Sequence, residues 1–341
     1  MSTIDTTMAI PIFRGEGRID WDERPVPAPG PGELLVRVAA NAICGTDRLQ
    51  LRWGSPVTPG HELSGTVVAT GDDTSTAVGT AGVVYLMGYC GHCRFCGLGH
   101  TNQCLHKHGD VGFERDGGYA PYAVIDERTF FPIGDDVDLL EATLLLDVMG
   151  TSGHAIGRAL MVHDDIQSVL IAGAGPIGLG LVAMARILLP EATVVVTDVT
   201  PYRLALAEEL GARSVALGDR PLADLLREHE LARPDVAFDA AGRETARRTG
   251  LDVLRKRGVL VCVGHGQGLT LNVSPDLIAR ERSILGSEYF RYGELTQNLA
   301  LLREHREHLV RIITHRFAAS SLDEAFALFN GGEAGKVVIE P

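Results

Sequence analysis

The stretch VLIAGAGPIG, from Val169 to Gly178, joins a short apolar run to a glycine-rich turn. The apolar run predicts a buried strand, and the residues from Ile177 to Leu189 predict the helix that follows the turn. Further short apolar strands are predicted at 194–198, 236–239 and 259–263. Because helical segments alternate with these strands, the sequence predicts a doubly wound parallel sheet of the α/β class.

The glycine-rich turn fits the pattern G-x-G-x-x-G, which between a strand and a helix is typical of dinucleotide binding. In this pattern Gly173 permits the turn, Gly175 lets a pyrophosphate approach the backbone, and Gly178 lets helix and strand pack closely. The helix that begins near Pro176 and Ile177 presents free N–H groups and the positive end of its dipole to a phosphate. We therefore predict that these five residues bind a dinucleotide.

The residue that ends the next predicted strand, Asp198, indicates which dinucleotide is bound. A carboxylate there accepts hydrogen bonds from ribose hydroxyls and repels a 2′-phosphate, so we expect NAD rather than NADP. Arg203 is a candidate cofactor-binding residue, because a guanidinium could pair with a phosphate; alternatively, it is a solvated helix residue. Val263 and Gly264 follow a later strand and are predicted to contact the nicotinamide half, at the sheet edge where ligands bind.

Four of the six cysteines lie within fifteen residues, with the spacing Cys90-x2-Cys93-x2-Cys96-x7-Cys104. Four thiolates joined by short spacers can surround one zinc ion tetrahedrally. In a chain of 341 residues without a signal-peptide pattern, metal binding explains them better than a disulfide framework. An iron–sulfur cluster is the alternative, but the last spacer is long for the bacterial ferredoxin pattern. Since cysteine fills all four positions, we expect a structural zinc.

A second candidate metal site lies upstream, where Cys44-Gly-Thr-Asp47 precedes Gly60-His61-Glu62 by a short loop. A thiolate, an imidazole and a carboxylate are a plausible set of zinc ligands. Each is weak evidence alone, because a lone cysteine in a turn is more often a packed small residue. Their combination upstream of a four-cysteine cluster favours a second zinc.

The overall charge excludes some classes of partner. The formal net charge of −13 disfavours binding to nucleic acid or to an anionic membrane. Residues 1–17 hold no basic segment followed by a long apolar core, so we predict no signal peptide and expect a cytoplasmic protein. Residues 168–189 are apolar and about long enough to span a bilayer, but their glycines and proline favour a strand, a turn and a packed helix.

Taken together and in this order, these motifs resemble the zinc-dependent medium-chain alcohol dehydrogenases, especially the sorbitol and threonine dehydrogenase branch. The segments Asp116-Gly-Gly-Tyr-Ala120 and Phe290-Arg-Tyr292 resemble those of polyol dehydrogenases. Arg291 and Tyr292 could offer hydrogen bonds to a polyhydroxylated substrate; the alternative is a role in packing or subunit contact. The resemblance implies a Rossmann-type dinucleotide-binding domain at residues 148–292. It also implies a β-rich, GroES-like catalytic domain with both zinc sites, formed by residues 1–147 and 293–341.

The resemblance also implies a set of ligands for a catalytic zinc. Cys44 and His61 match two of its ligands, and Glu62 matches the carboxylate that binds the ion or hydrogen-bonds its water. Asp147 falls where the family places a Glu or a Cys as a further ligand, although its side chain is shorter than that of Glu. The alternative for Asp147 is a solvated or capping residue.

Two further residues match catalytic positions of the family. Thr46 matches the hydroxyl that takes the substrate proton, and Asp47 matches the residue that orients His61 through its other ring nitrogen. Some members pass the proton onward through a histidine, but Leu49 stands at that position here. The relay is therefore missing, or it runs through water or cofactor hydroxyls.

These expectations combine into one functional hypothesis. A zinc-dependent oxidoreductase would transfer a hydride between a secondary alcohol and NAD, with a polyol, sugar or cyclitol as the small-molecule substrate. Alternatives on the same fold are an L-threonine dehydrogenase and an aldehyde reductase, and the alternative from another class is a non-catalytic zinc and nucleotide binder. The family forms homodimers and homotetramers, and we expect one of these.

Overall fold

The computed structural model describes residues 4–341, and within this range the strands form three sheets. The strands are β1 Thr7–Gly15, β2 Arg18–Pro25, β3 Glu33–Ala42, β4 Leu63–Thr70, β5 Ala81–Val84, β6 Tyr122–Asp126, β7 Phe130–Pro132, β8 Ser168–Ala172, β9 Thr193–Asp198, β10 Arg213–Ala216, β11 Val236–Asp239, β12 Val259–Cys262, β13 Ser283–Gly286, β14 Ile313–Ala318 and β15 Lys336–Glu340. The α-helices are α1 Asp47–Trp53, α2 Arg94–Gly97, α3 Leu139–Ala142, α4 Ser152–Leu160, α5 Pro176–Leu188, α6 Pro201–Glu209, α7 Leu222–Glu228, α8 Glu244–Val253, α9 Val273–Asp276, α10 Glu294–Glu304, α11 Arg306–Leu309 and α12 Leu322–Gly331.

Six parallel strands form the dinucleotide-binding type of sheet, in the order β10-β9-β8-β11-β12-β13. This is the Rossmann order, in which the strand order across the sheet reverses between β8 and β11. A crevice opens at the carboxyl ends of these two strands. The predicted doubly wound α/β fold is therefore confirmed. The apolar runs at 169–172, 194–198, 236–239 and 259–263 all become strands because their side chains are buried under helices.

Close packing of α5 against β8 depends on Gly178. A Cβ atom on this residue would lie 1.8 Å from the carbonyl oxygen of Gly173, so a side chain cannot be accommodated. The helix consequently begins next to the turn and directs its first N–H groups toward the crevice.

A second sheet of seven strands follows the path β14-β15-β3-β4-β5-β7, with β6 paired to β3. Strand β15, which comes almost 300 residues after β3 in the chain, pairs with it antiparallel at Val338 and Ile339. This β-rich unit is the GroES-like part of the fold. The boundaries at 147/148 and 292/293 remain a proposal, and residues 1–3 of the first segment lie outside the described residues.

The sequence also predicts a strand at 82–87 and a helix near 295–308, and both differ from the structure. The strand predicted at 82–87 ends at Val84, where β5 leaves the sheet. The helix predicted near 295–308 is divided at His305 into α10 and α11. The hairpin of β1 and β2 was not predicted, because β2 is almost entirely exposed and lacks the apolar alternation of a buried strand.

The apolar stretch at 168–189 becomes β8, the glycine turn and α5, as predicted. Across residues 4–341, no helix combines the length and the apolar character needed to cross a bilayer.

Candidate functional site

Pairing of β3 with β4 brings Cys44 next to His61. The backbone N–H of Ala42 donates to the carbonyl of Glu62 at 3.0 Å, which holds the residues after β3 beside those before β4. Gly60 has a φ of 102°, and a Cβ atom there would lie 2.8 Å from the backbone nitrogen of Tyr119. A glycine is therefore required at the turn that delivers His61.

Asp147 joins this cluster from a π-helical turn, Asp147–Thr151, that precedes α4. Its Oδ2 lies 3.0 Å from Cys44 Sγ and 3.7 Å from His61 Nε2. One ligand atom from each of Cys44, His61, Glu62 and Asp147 lies within 4.8 Å of the others, and all four residues are buried. The structure thus brings together the four residues expected around the catalytic zinc, including the shorter Asp147.

Asp47 is positioned to orient His61. Its Oδ1 lies 3.3 Å from His61 Nδ1, on the opposite side of the ring from Asp147. Its Oδ2 accepts the backbone N–H of Cys44 at 3.0 Å and the hydroxyl of Tyr119 at 2.6 Å. Because these bonds fix the carboxylate, the Nε2 edge of the ring is directed at the cluster, the arrangement usual for a metal-binding histidine.

Glu62 has a buried partner that the sequence analysis missed. Lys336, the first residue of β15, donates from Nζ to Glu62 Oε1, and both side chains are completely buried. Glu62 Oε2 has no hydrogen-bond partner among the described residues. The carboxylate therefore has one oxygen held by a cation and one left for a ligand. The only sequence signal for Lys336 is a lysine at the start of an otherwise apolar strand.

The electrostatics of the cluster fit a metal cation. Burial and the nearby Asp147 raise the pKa of the Cys44 thiol to about 11. Burial opposes ionisation of Asp147 as well, but the hydrogen bond and charge of His61 hold its pKa below the ordinary value. A bound cation reverses the penalty on the thiol and favours the thiolate. A thiolate, an imidazole and carboxylate oxygens form a donor set that suits zinc.

The sulfur atoms of the four cysteines come together around α2, as predicted. The Sγ atoms of Cys90 and Cys96 lie 4.0 Å apart, as do those of Cys93 and Cys104. Tetrahedral zinc with bonds of about 2.3 Å would separate its sulfurs by about 3.8 Å, so the cage has the right size. Backbone N–H groups of Cys96 and Leu105 lower the pKa of the Cys93 thiol to about 6, which favours the thiolate needed for binding.

Thr46 lies between Cys44 and Asp47, at the start of α1. Its Oγ1 is buried and has no hydrogen-bond partner among the described residues, so it can both accept and donate a bond to a ligand. Leu49, at the position of the family's relay histidine, is 57% exposed. An apolar side chain there cannot carry a proton.

The nucleotide turn occupies the crevice between β8 and β11. Gly173 follows β8, Gly175 precedes α5, and Pro176, Ile177 and Gly178 form the first turn of that helix. Val263 and Gly264 follow β12, where their backbone N–H groups bond to the carbonyl of Asp239.

Asp198 ends β9, and its carboxylate accepts the backbone N–H groups of Ala174 at 2.6 Å and Thr200 at 2.9 Å. It therefore lies against the glycine turn, where an adenosine ribose would be expected. Arg203 directs its guanidinium to the carbonyls of Phe329 and Ala334.

The segment Phe290-Arg-Tyr292 makes internal contacts. Arg291 pairs with Glu294 at 2.9 Å, and the Tyr292 hydroxyl donates to the carbonyl of Phe130 at 2.7 Å. The polar groups that suggested a polyol substrate are thus already engaged within the protein.

Two tyrosines near the metal cluster were also missed. Tyr119 belongs to a segment that was noted only for its resemblance, and it bonds Asp47. Burial, together with the negative charges of Asp147 and Glu62, raises the pKa of Tyr289 well above its ordinary value. Neither carries a local sequence signal, because each reaches the site through tertiary packing.

Comparisons with known proteins agree with this geometry. Residues 30–135 match the alcohol dehydrogenase GroES-like domain, and residues 176–304 match the zinc-binding dehydrogenase family. The L-threonine 3-dehydrogenase of Chelativorans sp. strain BNC1 is 33% identical over 337 residues, which are 94% of this chain and 95% of that protein. The enzyme of the same name from Shewanella woodyi is 31% identical, over 97% of this chain and 98% of its own.

Solved structures share the whole fold. An alcohol dehydrogenase (rspB) of Escherichia coli CFT073, in complex with NADH, is 25% identical with a TM-score of 0.89, over 99% of this chain and 100% of its own. The L-idonate 5-dehydrogenase of Escherichia coli K-12 is 25% identical with a TM-score of 0.84, over 98% of both chains. Together with the two clusters of candidate metal ligands and the glycine turn, these matches show that the chain belongs to the zinc-dependent medium-chain alcohol dehydrogenases, a family of oxidoreductases.

Proposed function

We propose that this enzyme oxidises secondary alcohols that carry a second polar group, with NAD as the cofactor and L-threonine as the leading candidate substrate. The observation that carries the proposal is the buried cluster of Cys44, His61, Glu62 and Asp147, whose ligand atoms lie within 4.8 Å of one another. Thr46, with its unpartnered hydroxyl, lies two residues from the cysteine.

Zinc would be held by Cys44, His61 and Asp147, with Glu62 Oε2 as a further oxygen ligand. When bound, zinc supplies a Lewis acid that makes a substrate hydroxyl more acidic. A second zinc would be held by the four cysteines between positions 90 and 104, where no position remains for a substrate.

The protein's own residues would orient the substrate and receive its proton. Thr46 Oγ1 accepts a hydrogen bond from the reacting hydroxyl, and as it takes up that proton it passes its own hydroxyl proton to water or to a cofactor hydroxyl. Asp47 fixes the ring of His61, and Lys336 holds Glu62 in place while reducing the cost of burying its charge. NAD, when bound at the glycine turn, supplies the hydride acceptor.

The preference for NAD rests on Asp198. Its carboxylate lies at the glycine turn, bonded to the N–H of Ala174, and would repel a 2′-phosphate. The guanidinium of Arg203 is turned toward the carbonyls of Phe329 and Ala334, which supports the same preference. One structural neighbour, a chain from Sinorhizobium meliloti 1021, was solved with NADP, so both cofactors belong in the test.

Two observations favour L-threonine over a polyol. The relatives that match 94–97% of this chain are named L-threonine 3-dehydrogenase. In addition, Arg291 and Tyr292, which suggested a polyol, are bonded within the protein. Polyols and sugar acids remain the second candidates because of the structural similarity to L-idonate 5-dehydrogenase.

The test is a substrate panel with the purified enzyme. Formation of NADH or NADPH is followed by absorbance with L-threonine, sorbitol, L-idonate, a cyclitol and 2-butanol, each with NAD and NADP. We expect the highest kcat/KM with NAD and a polar secondary alcohol, and no turnover by Cys44→Ser. An enzyme that binds zinc and nucleotide but reduces neither cofactor with any alcohol would instead be a non-catalytic binder.

A further inference from the structure

Tyr289 has a backbone conformation that a large side chain rarely adopts. Its φ is 45°, in the left-handed region, where a residue with a Cβ atom is disfavoured. Such conformations persist only where the surrounding structure enforces them, and they concentrate at ligand sites. The strain therefore calls for an explanation in terms of what holds this residue and what its side chain reaches.

The four-cysteine loop, residues 90–104, holds the backbone on both sides of Tyr289. Asn102 donates from Nδ2 to the carbonyl of Glu288 at 2.8 Å. Thr101 Oγ1 accepts the backbone N–H of Tyr292 at 2.8 Å. Because these bonds fix the residues before and after Tyr289, the loop that closes the cysteine cage also sets the position of the tyrosine.

The ring of Tyr289 is held from its flanks. It packs against Tyr85, with ring centroids 5.3 Å apart, and against Phe290 at 4.3 Å. The hydroxyl of Tyr85 donates to the carbonyl of Phe290 at 2.5 Å, which fixes the same segment a third time. The phenol of Tyr289 is therefore presented in one orientation.

The hydroxyl of Tyr289 has a proton to donate. Its oxygen accepts the backbone N–H of Leu86 at 3.4 Å, and within residues 4–341 no hydrogen bond uses its proton. The side chain is 7% exposed and lies close enough to Asp147 and Glu62 for their charges to act on it. Phe290, the next residue, packs against Gly150, so closely that a Cβ atom on that glycine would lie 2.4 Å from the Phe290 ring. Gly150 belongs to the same π-helical turn as Asp147, so Tyr289 is next to the turn that supplies a candidate zinc ligand.

We propose that Tyr289 is a specificity-determining residue, whose phenol donates a hydrogen bond to a second oxygen of the substrate while the first oxygen reacts beside Thr46. This inference rests on the proposed function. This role would account for the strained backbone, because the left-handed conformation at Tyr289 holds the phenol in one orientation as a donor. A site built around such a donor rejects an analogue that lacks the acceptor far more strongly than a purely apolar pocket does.

The test compares Tyr289→Phe with a matched control, Tyr122→Phe, which removes a tyrosine hydroxyl that donates to Asp5 at 2.9 Å and makes no bond to residues 288–292. The kcat/KM values for L-threonine and sorbitol are measured beside that for 2-butanol, which has no second oxygen. We expect Tyr289→Phe to lower the value for the better polar substrate about 5- to 100-fold and to leave that for 2-butanol within about twofold. Tyr122→Phe should leave the ratio of the two values unchanged.

A binding measurement separates failure of this inference from failure of the proposed function. Dissociation constants of L-threonine and sorbitol are measured by calorimetry on the zinc-containing enzyme with NADH present. Weaker binding to Tyr289→Phe supports the inference even if no alcohol is oxidised. The inference would be overturned if Tyr289→Phe lowered kcat/KM equally for the polar substrates and for 2-butanol, or left their ratio unchanged. It would also be overturned if the wild-type enzyme neither bound the polar compounds nor preferred them to 2-butanol.

Discussion

Removal of the Tyr119 hydroxyl tests how strongly the buried bonds around Asp47 hold the site. The variant Tyr119→Phe keeps the ring, which packs against Phe13 and Phe326, and loses only the oxygen that donates to Asp47 at 2.6 Å. Tyr119 and Asp47 are both fully buried, so water cannot replace the lost donor. A hydrogen bond to a charged group contributes about 1.5–3 kcal/mol, and we expect the free energy of unfolding to fall by that amount.

A double-mutant cycle isolates this bond from other effects. Tyr119→Phe, Asp47→Asn and the double variant are unfolded in urea at one fixed zinc content, with fluorescence and circular dichroism as independent probes. The coupling energy between the two positions should be about 1–1.5 kcal/mol, because Asp47→Asn keeps an oxygen that can accept the Tyr119 hydroxyl and the cycle therefore reports the difference between a charged and a neutral acceptor. A coupling energy below about 0.5 kcal/mol would refute this account, because it is the value typical of independent sites.

Asp47→Asn also makes a prediction about metal binding. Loss of a partner that orients a metal-binding histidine typically lowers metal affinity 10- to 100-fold. We expect this loss at the Cys44 site, whereas the four-cysteine site should keep its zinc. Competition with a chromogenic chelator measures both affinities, and equal weakening of the two sites would contradict the assignment of Asp47.

Three further changes probe the charges and ligands of the site. Lys336→Met takes the cation away from the buried Glu62 carboxyl, so the loss of stability, measured by urea unfolding, should grow with pH; Lys336→Met/Glu62→Gln should lose most of this pH dependence, and a double variant that keeps it would contradict this account. Burial and the charge of Asp147 raise the pKa of Glu62 to about 8, although Lys336 lowers it. Without the ammonium this pKa should rise further, so Lys336→Met should lose stability relative to wild type by up to about 1.4 kcal/mol per pH unit above about pH 8. Metal analysis should show one zinc lost from Cys44→Ser together with all activity, while Cys104→Ser should lose the other zinc and unfold more readily; loss of both metals from either variant would argue against two independent sites. Asp198→Ala should lower the ratio of kcat/KM with NAD to kcat/KM with NADP. An unchanged ratio would show that Asp198 does not select the cofactor.

The parts of the fold that the sequence predicts are those encoded by neighbouring residues. The turn at Gly173–Gly178 and its flanking strand and helix lie within about twenty residues, so periodicity and glycine spacing suffice. The four cysteines are also close in sequence, and their sulfur atoms lie within 4.8 Å of one another, as the spacing predicts. Asp147 came only from the family resemblance, because 86 residues separate it from His61.

The contacts that the sequence does not reveal join distant segments. Lys336 lies 274 residues from Glu62 and reaches it only because β15 inserts beside β3. Arg291 and Tyr292 looked like substrate contacts by resemblance, but Glu294 and the carbonyl of Phe130 take up their donors. Which partner a long polar side chain chooses is decided by tertiary packing, which periodicity does not report.

The position of β15 also constrains the order in which this protein can assemble on the ribosome. The strand lies between β14 and β3, so the sheet that carries Cys44 and His61 stays open until residues 336–340 have emerged. The six parallel strands between residues 168 and 286 are synthesised earlier and can fold while that sheet waits. Pairing across so long a stretch of chain is intrinsically slow, which makes docking of the last strand the expected late step in forming an active enzyme.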